Sequence, residues 1–376
     1  MIKICIEGWR KINHSYALVN QRQLIELLKY PIDLKHRDIP YFNKNWNDKQ
    51  NSNGFSKEEN NIIDKIKTPE KDEIFDITYR ITFPYNFEKS TSKKLFVYGT
   101  AEYQNIDKHF INGNSEKNFS IITPSNWSKE GFVKAGFDSN KVLVVPNGVD
   151  CNIFKNIEED RKNEIKQKLG INSQDFIISS VGAMTDNKGI DYLLAAFALL
   201  RKNNNNIKLI LKDQSNLYNI KSQKILDKLK NTKYKNLISE DLINNIFFIS
   251  RNMDLSTLNE LYNITDCYVS PYRAEGFNLT PLEAAACGTP IIVTKGGSTD
   301  DYFDEKLGLQ IESEIIQNGD LTSLKPKIDS LVKCILSVME NPKTYGGLNG
   351  SEYIKKNFTW YSAVKKLYNI FTNNNV

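Results

Sequence analysis

Two glutamates eight residues apart, Glu275 and Glu283, bracket the stretch Gly276-Phe277-Asn278-Leu279-Thr280-Pro281-Leu282. The two carboxylates flank a stretch of backbone that suits an anion. Gly276 permits close approach of a ligand, and the N–H groups from Phe277 to Leu282 stand at the positive end of a helix dipole, which favours a phosphate. Thr280 is placed to cap that helix with Pro281 at its first position; Leu282 to Cys287 continue it, Gly288 closes it, and Ile291 to Thr294 reads as a short buried strand. Thr280-Pro281-Leu282-Glu283 is also a capping box, in which Glu283 would bond the Thr280 N–H. That quartet alone favours capping; Glu275 eight residues earlier reverses the preference. Cations stand upstream: Lys188 in Asp186-Asn187-Lys188-Gly189, six residues after Gly182, and Lys212 and Arg273, each just past an apolar run. Taken alone, Lys188 reads equally well as an exposed lysine in the first turn of a helix.

These residues need strand ends and helix starts to hold them. Lys3 to Ile6 reads as a strand, followed by Glu7-Gly8-Trp9-Arg10 and a helix from about Tyr16 with Leu18, Leu24, Ile25 and Leu28 in a stripe. Strand, glycine loop, helix opens a doubly wound domain, whose ligands gather at the carboxyl ends of the strands. Gly8, Arg10, His14, Ser15 and Tyr16 occupy that loop, although a lone loop histidine is more often simply exposed. Tyr41 to Lys71 is rich in Asn, Lys and Glu and reads as a long solvated excursion with one helix near Lys57 to Ile66. Strands follow at Glu73 to Tyr79, Lys94 to Tyr98, Phe119 to Thr123 and Val142 to Val145, with a helix from Trp127 to Ala135 capped by Ser125 or Asn126. The charged segment Asn156 to Gln174 carries a short helix and is the expected linker. A second unit opens with Phe176 to Val181 and Gly182, then a helix Gly189 to Leu200, strands Ile207 to Leu211, Ile246 to Ser250 and Asp266 to Ser270, and a helix Leu255 to Asn263. The tail, Tyr361 to Phe371, bears Val364, Leu367, Tyr368 and Phe371 on one face, a stripe that needs a partner.

The chain of 376 residues is long enough for two domains, and with 40% hydrophobic and 25% charged residues it is globular in composition. A net charge of +5 permits an anionic substrate or peripheral contact with a lipid surface and does not call for nucleic acid. No apolar run approaches membrane-spanning length and the first residues lack the pattern of a signal peptide, so a soluble, cytoplasmic protein is expected. Cys5, Cys151, Cys267, Cys287 and Cys334 are odd in number and widely spaced, which suits reduced core thiols. His14, His36 and His109 form no ligand pattern with them, so no metal and no cofactor are expected.

The Glu275 to Glu283 stretch resembles the Glu-x7-Glu signature of the retaining, family 4 glycosyltransferases of the GT-B fold. Asn147-Gly148-Val149-Asp150, Gly182 with Lys188-Gly189, and Gly288-Thr289-Pro290 follow the same family in order. The resemblance implies two Rossmann-like domains facing across a cleft: an acceptor-binding domain over residues 1–153, a donor domain over 154–357, and a C-terminal helix over 358–376 crossing back to the first. It implies metal-independent transfer of a sugar, with retention, from a nucleotide diphosphate sugar to a saccharide, glycolipid or glycoprotein hydroxyl; the missing Asp-x-Asp triplet agrees. Glu275 would contact the donor sugar, Gly276 to Leu279 the sugar and phosphate, Glu283 the ribose, Lys188 the diphosphate, and Arg251, Asn252 and Met253 the base. The chain departs from the pattern at Ala183, where the family has an arginine on the diphosphate; Lys212 or Arg273 would then supply the second charge. It departs again after Lys94 to Tyr98, where Gly99-Thr100-Ala101-Glu102 lacks the family's histidine and leaves Glu102 or His14 as substitutes. A nucleotide-sugar epimerase of the same fold, or a donor-binding scaffold without turnover, remains open on the sequence.

Overall fold

Short apolar runs alternating with helical stripes fold, in the computed structural model, into two α/β units: residues 1–148 with 358–376, and residues 149–357. The structure describes residues 1–47, 54–113, 118–230, 232 and 234–373; residues 48–53 of the expected excursion lie outside that set.

The first unit is built on six parallel strands: β1 (Ile2–Gly8), β2 (Ile32–Asp38), β3 (Phe75–Ile81), β4 (Ser92–Tyr98), β5 (Phe119–Thr123) and β6 (Val142–Val144), in the order β2-β1-β3-β4-β5-β6. Ile4 pairs with both Leu34 and Ile77, so β1 is central, and its Ile4, Cys5 and Ile6 are fully buried. Strands covered on both faces read as continuous apolar runs, which is why β1 is legible. β2 is not among the expected strands. Its sequence Ile-Asp-Leu-Lys-His-Arg-Asp suits an edge strand, where only Leu34 and His36 are buried and four of the other five residues are charged. Helix α1 (Ser15–Leu27) follows β1, and α2 (Lys57–Asp64) starts at a Ser56/Glu59 capping box. The latter end of the excursion is packed, not solvated: Glu59 pairs with buried Arg22 at 2.5 Å, and the Arg22 guanidinium lies 4.3 Å over the Phe55 ring. Helix α3 (Asn126–Lys134) is capped by Ser125.

The second unit begins with the charged stretch expected as a linker. Its helix α4 (Glu159–Lys168) is folded against this unit, with Arg161 bonded to Glu260 and the Lys155 N–H to Asn259. Strands β7 (Phe176–Val181), β8 (Ile207–Lys212), β9 (Ile246–Ile249), β10 (Cys267–Ser270), β11 (Ile291–Thr294) and β12 (Gly308–Ile311) form a parallel sheet ordered β9-β8-β7-β10-β11-β12. One face is covered through Leu193, Leu194 and Phe197 of α5 (Ile190–Arg201); the other carries Ile177, Ile210, Leu261 and Ile264, two of them from or just past α6 (Leu255–Asn263). Helix α7 (Leu279–Ala286) precedes β11. Beyond β12 the chain makes an antiparallel hairpin, β13 (Ser313–Asn318) and β14 (Leu321–Pro326), then α8 (Ile328–Glu340) and α9 (Gly347–Asn357).

The terminal stripe finds its partner in the first unit. Helix α10 (Trp360–Thr372) lays Tyr368 on Tyr30 of the α1–β2 turn, with ring centroids 4.3 Å apart, and Phe371 against Tyr79 and Phe96 at 5.4 and 5.0 Å. Its start is locked on Gly148: a Cβ there would stand 2.3 Å from both the Thr359 carbonyl carbon and the Trp360 nitrogen. Gly148→Ala must therefore displace backbone and is expected to lower stability by about 1–3 kcal/mol in urea unfolding. An unchanged midpoint would mean that α10 is not held at this point.

Candidate functional site

The site of the second unit is assembled by two loops, residues 182–189 after β7 and 271–278 after β10. Gly189 adopts φ 65°, and a Cβ on it would lie 2.0 Å from the Pro271 carbonyl oxygen, so only glycine lets the loops approach this closely. Asn187 then stitches them: its carbonyl accepts the Arg273 and Ala274 N–H groups at 2.6 and 3.2 Å, and its side-chain amide donates to the Ala274 carbonyl at 3.1 Å. The Arg273 guanidinium lies 4.4 Å over the Tyr192 ring, bonds the Asp186 carbonyl at 2.8 Å, and makes a two-pronged pair with Asp191 at 2.8 and 2.6 Å. Beside this stitch Lys188 and Glu275 form an ion pair; Glu275 is 5% exposed.

Helix α7 differs from expectation at its start. It begins at Leu279, not after Thr280, and the capping position is Asn278 in the left-handed conformation, φ 68°. Asn278 tolerates φ > 0 better than most residues, and here it is fixed by its amide donating to Ser270 Oγ at 2.9 Å and by the Tyr302 hydroxyl donating to its carbonyl at 2.9 Å. Pro281 therefore sits in the third helical position, where a missing N–H is still harmless. The Thr280 hydroxyl accepts from Tyr268 at 2.7 Å. Glu283 makes no capping box: it is 6% exposed and accepts from the Tyr262 hydroxyl at 2.9 Å. Phe277 is buried against Tyr302, and Gly276 and Leu279 lie on the same turn. Gly288, at φ 84°, ends the helix as expected.

At the carboxyl edge of β7 and β8, the Gly182 N–H donates to the Lys212 carbonyl at 3.0 Å; Gly182 has φ 147°, and space where a Cβ would point is open. Ala183 is buried beside it. Lys212 is 4% exposed and its ammonium bonds the Asp213 backbone carbonyl. Burial holds its pKa below the ordinary lysine value, with the Asp213 charge working the other way. The Asp213 carboxylate is taken up by Ser215, Ser222 and Ser250 at 2.7 to 3.0 Å; burial pushes its pKa up, but these hydrogen bonds outweigh it and bring it below the usual carboxylate value. Arg251 and Asn252 are exposed in the next loop, while Met253 is half-buried against the Leu261 cluster. Lys188, Glu275, Glu283, Gly182 and Lys212 thus all stand at strand ends or at a helix start, whereas Arg273 is committed to Asp191.

The candidate residues of the first unit lie around β1. Gly8 is needed for packing, since a Cβ would come within 2.8 Å of the Asn20 amide and 2.9 Å of the Ile81 carbonyl. Arg10 is bound to Asp38 at 2.8 and 2.5 Å and to the Ile63 carbonyl at 3.1 Å. His14 caps α1, its Nδ1 accepting the Tyr16 N–H at 3.1 Å, among the rings of Trp9, Tyr16 and Trp46; Ser15 is exposed at the first helical position. The Glu102 carbonyl accepts the Trp127 indole N–H at 2.7 Å. His36, which no motif marks, is buried with Nε2 on the Asn20 amide at 2.9 Å; burial first, and then the Arg10 charge, push its pKa down to about 3 against a smaller upward pull from Asp38. Asn187, Asp191, Tyr262 and Asp213 are also unmarked in the sequence, since each acts through a partner far along the chain.

The family model described as Glycosyl transferases group 1 matches residues 161–349. The chain belongs to that family. The match contains both site loops and α7. Mannosylfructose-phosphate synthase of Agrobacterium fabrum is 24% identical over 235 residues, 62% of this chain and 48% of that protein. Alpha-monoglucosyldiacylglycerol synthase of Acholeplasma laidlawii is 25% identical over 242 residues, 64% of this chain and 54% of that protein. The chain spans about half the length of these curated relatives. Among solved structures, Anabaena Alr3699/HepE in complex with UDP-glucose aligns with a TM-score of 0.69 at 14% identity over 99% of this chain and 100% of that one. WaaG, a glycosyltransferase involved in lipopolysaccharide biosynthesis, aligns at 0.62 and 14% over the whole of both chains. The fold is therefore α/β with two Rossmann-like domains, as in GT-B glycosyltransferases. Among the described residues no helix is long and apolar enough to cross a membrane.

Two buried groups give measurable expectations. Lys212→Met removes a buried ammonium that has no carboxylate bonded to it and should raise stability by about 1 kcal/mol or more in the absence of ligand; a lower unfolding midpoint would show that the charge stabilises the fold. His36 is neutral in the folded chain down to about pH 3 and takes a proton near 6.5 when unfolded, so its contribution is complete above pH 6.5 and is lost as pH falls towards 3. At pH 5 the loss amounts to roughly 2 kcal/mol. Urea unfolding of the wild type and His36→Gln between pH 7 and 4.5 should show a steeper decline in the wild type; parallel declines would assign the acid sensitivity to other groups.

Proposed function

We propose that the chain is a retaining, metal-independent glycosyltransferase of family 4, moving a sugar from a nucleoside diphosphate sugar to an acceptor hydroxyl on a saccharide or glycoconjugate. The observation that carries this reading is the union of Lys188 with buried Glu275 beside the amino end of α7, with buried Glu283 one turn further along. Such an arrangement serves a ligand with a diphosphate in its middle and hydroxyls at both ends. Glu275 would orient the donor sugar, the backbone from Gly276 to Thr280 would meet sugar and phosphate, and Glu283 would hold the ribose with Tyr262 fixing its carboxylate. Arg251 and Met253 are assigned to the base. Acceptor recognition is assigned to the first unit, around Gly8, Arg10, His14, Ser15 and Glu102.

When the bond between the anomeric carbon and the diphosphate oxygen breaks, negative charge grows on the leaving phosphate. Lys188, released from Glu275 as the sugar arrives, and the helix dipole would stabilise that charge more than they stabilise the bound donor. Lys212 is the second cation of this reading in place of Ala183. It is buried with no carboxylate bonded to it, so a phosphate would supply the counter-charge it lacks, whereas Arg273 already has Asp191. The ligands named for the aligned Anabaena protein, UDP and UDP-glucose, make uridine donors the first to try.

The test is thermal unfolding with UDP, GDP, ADP and their glucose, mannose and N-acetylglucosamine derivatives, with and without EDTA. One nucleoside diphosphate should raise the midpoint equally in EDTA. The shift should vanish in Glu283→Ala and shrink in Lys212→Met, and the matching diphosphate sugar should support transfer. No shift with any of them would replace this reading with a partner-binding role, and a shift abolished by EDTA would remove the metal-independent mechanism.

A further inference from the structure

The hairpin of β13 and β14 is held to the rest of its unit in an uneven way. Leu321, Ile315 and Ile316 are exposed at 43%, 69% and 38%, so most of its apolar surface adds little to the core. Burial is concentrated in β14, at Thr322, Leu324 and Pro326. Leu324 is 1% exposed, and its N–H donates to the Arg273 carbonyl at 2.7 Å. That N–H faces away from β13: Leu324 lies opposite Ile315 in the ladder, and its bond goes out of the hairpin. The Leu324 side chain covers Gly297, where a Cβ would meet Leu324 Cδ1 at 2.8 Å and the Tyr272 hydroxyl at 2.5 Å. Tyr272 itself donates to the Thr294 carbonyl at 3.1 Å.

Arg273 is therefore gripped on two sides. Asn187 and Asp186 of the loop that carries Lys188, with Asp191 in the first turn of α5, hold it on one side, and Leu324 holds its carbonyl from the hairpin. Only Ala274 separates it from Glu275, and each residue of chain reaches about 3.5 Å at most, so a displacement of the Arg273 peptide passes to the Glu275 backbone with little slack. We propose that the β13–β14 hairpin is a positioning element of the donor site, in which the Leu324 N–H, through the Arg273 carbonyl, fixes where Glu275 meets the donor sugar. This rests on the donor-site reading above. The hairpin bonds the chain at the sugar end of that site, whereas Glu283 accepts from Tyr262 and Lys212 bonds the Asp213 carbonyl.

Leu324→Pro tests the bond. A proline here removes the donor and sets its ring against the Arg273 carbonyl, so the substitution breaks and displaces the Arg273 contact while deleting no rung of the ladder. Leu324→Ala keeps the N–H and trims only the packing. With the nucleoside diphosphate that stabilises the wild type most among UDP, GDP and ADP, and its sugar derivative as donor, Leu324→Pro should lower kcat about 10- to 100-fold. Its affinity for the nucleoside diphosphate should stay within about 3-fold of wild type, and Leu324→Ala, which also loses the leucine packing but keeps the N–H, should keep most of kcat. The proposal is overturned if Leu324→Pro retains kcat, if kcat and diphosphate affinity fall together, or if Leu324→Ala loses as much kcat as the proline variant. Loss of diphosphate binding in Glu283→Ala alongside an unaffected Leu324→Pro would sink the hairpin's role and leave the donor site standing; a wild type that binds none of the three diphosphates sinks both.

Discussion

Everything in the second unit's site depends on one close approach of backbone, the Gly189 loop against Pro271. Lys188 and Glu275 are 87 residues apart in the chain, and an ion pair across that separation forms only if both loops are fixed before the charges meet. The fixing is done by groups that do not titrate, the Asn187 carbonyl and amide, the Leu324 N–H and the φ > 0 that Gly189 supplies, together with the Arg273–Asp191 pair. Hydrogen bonds of this kind contribute about 1 kcal/mol each, but a misplaced buried carboxylate costs several times more, so their effect lies in geometry more than in stability. Parallel strands make the approach possible, because β7 and β10 are neighbours and both loops leave the sheet on the same edge.

Burial then decides what the charges are available for. Asp213 has three serine partners and is finished as a structural acceptor, and Arg273 with Asp191 is likewise closed. The Lys212 ammonium, by contrast, bonds a backbone carbonyl. A buried ion with only neutral partners keeps most of its desolvation cost, which an incoming counter-ion or hydroxyl array can offset. Lys212 and Arg273, each just past an apolar run, thus separate into a cation bonded to a backbone carbonyl and a cation paired with a carboxylate only when their neighbours are seen.

How far the sequence speaks follows from the range over which each signal acts. Elements set by local pattern are legible to within a residue or two: β5, β11, α5 and α10 follow from buried runs or stripes, and Gly288 from the helix end it closes. Glu275, Glu283 and Lys188 are legible because their spacing belongs to single loops and helices. Edge strand β2 escapes because its outer face carries Asp, Lys and Arg, and even its buried face carries His36, where a central strand would carry Ile and Val. The hairpin escapes too, although Gly319, at φ 58° between Asn318 and Leu321, is the turn signal that should reveal it. The start of α7 was hidden for a different reason. Thr280 and Pro281 are good capping residues locally, but Tyr302 and Ser270 hold Asn278 in a left-handed turn one step earlier, and tertiary bonds outrank a local preference worth about 1 kcal/mol.

The first unit shows the opposite disposition of charge. At the carboxyl end of β1, Glu7 is shared by Arg37 and Arg80 at 2.6 and 2.7 Å, Arg10 is closed by Asp38, and His36 is neutral. Each of these polar groups is spent on a neighbour, so this edge offers little uncompensated charge to a ligand. The rings of His14 and Trp46 are only half-buried there, beside the exposed hydroxyl of Ser15. Flat rings and hydroxyls discriminate by shape and hydrogen-bond direction and hardly at all by charge. The buried Lys212, which has no carboxylate bonded to it, thus lies in the unit matched by the family model, whereas the polar groups named at the β1 edge are paired and what that edge presents beside them is rings and a hydroxyl.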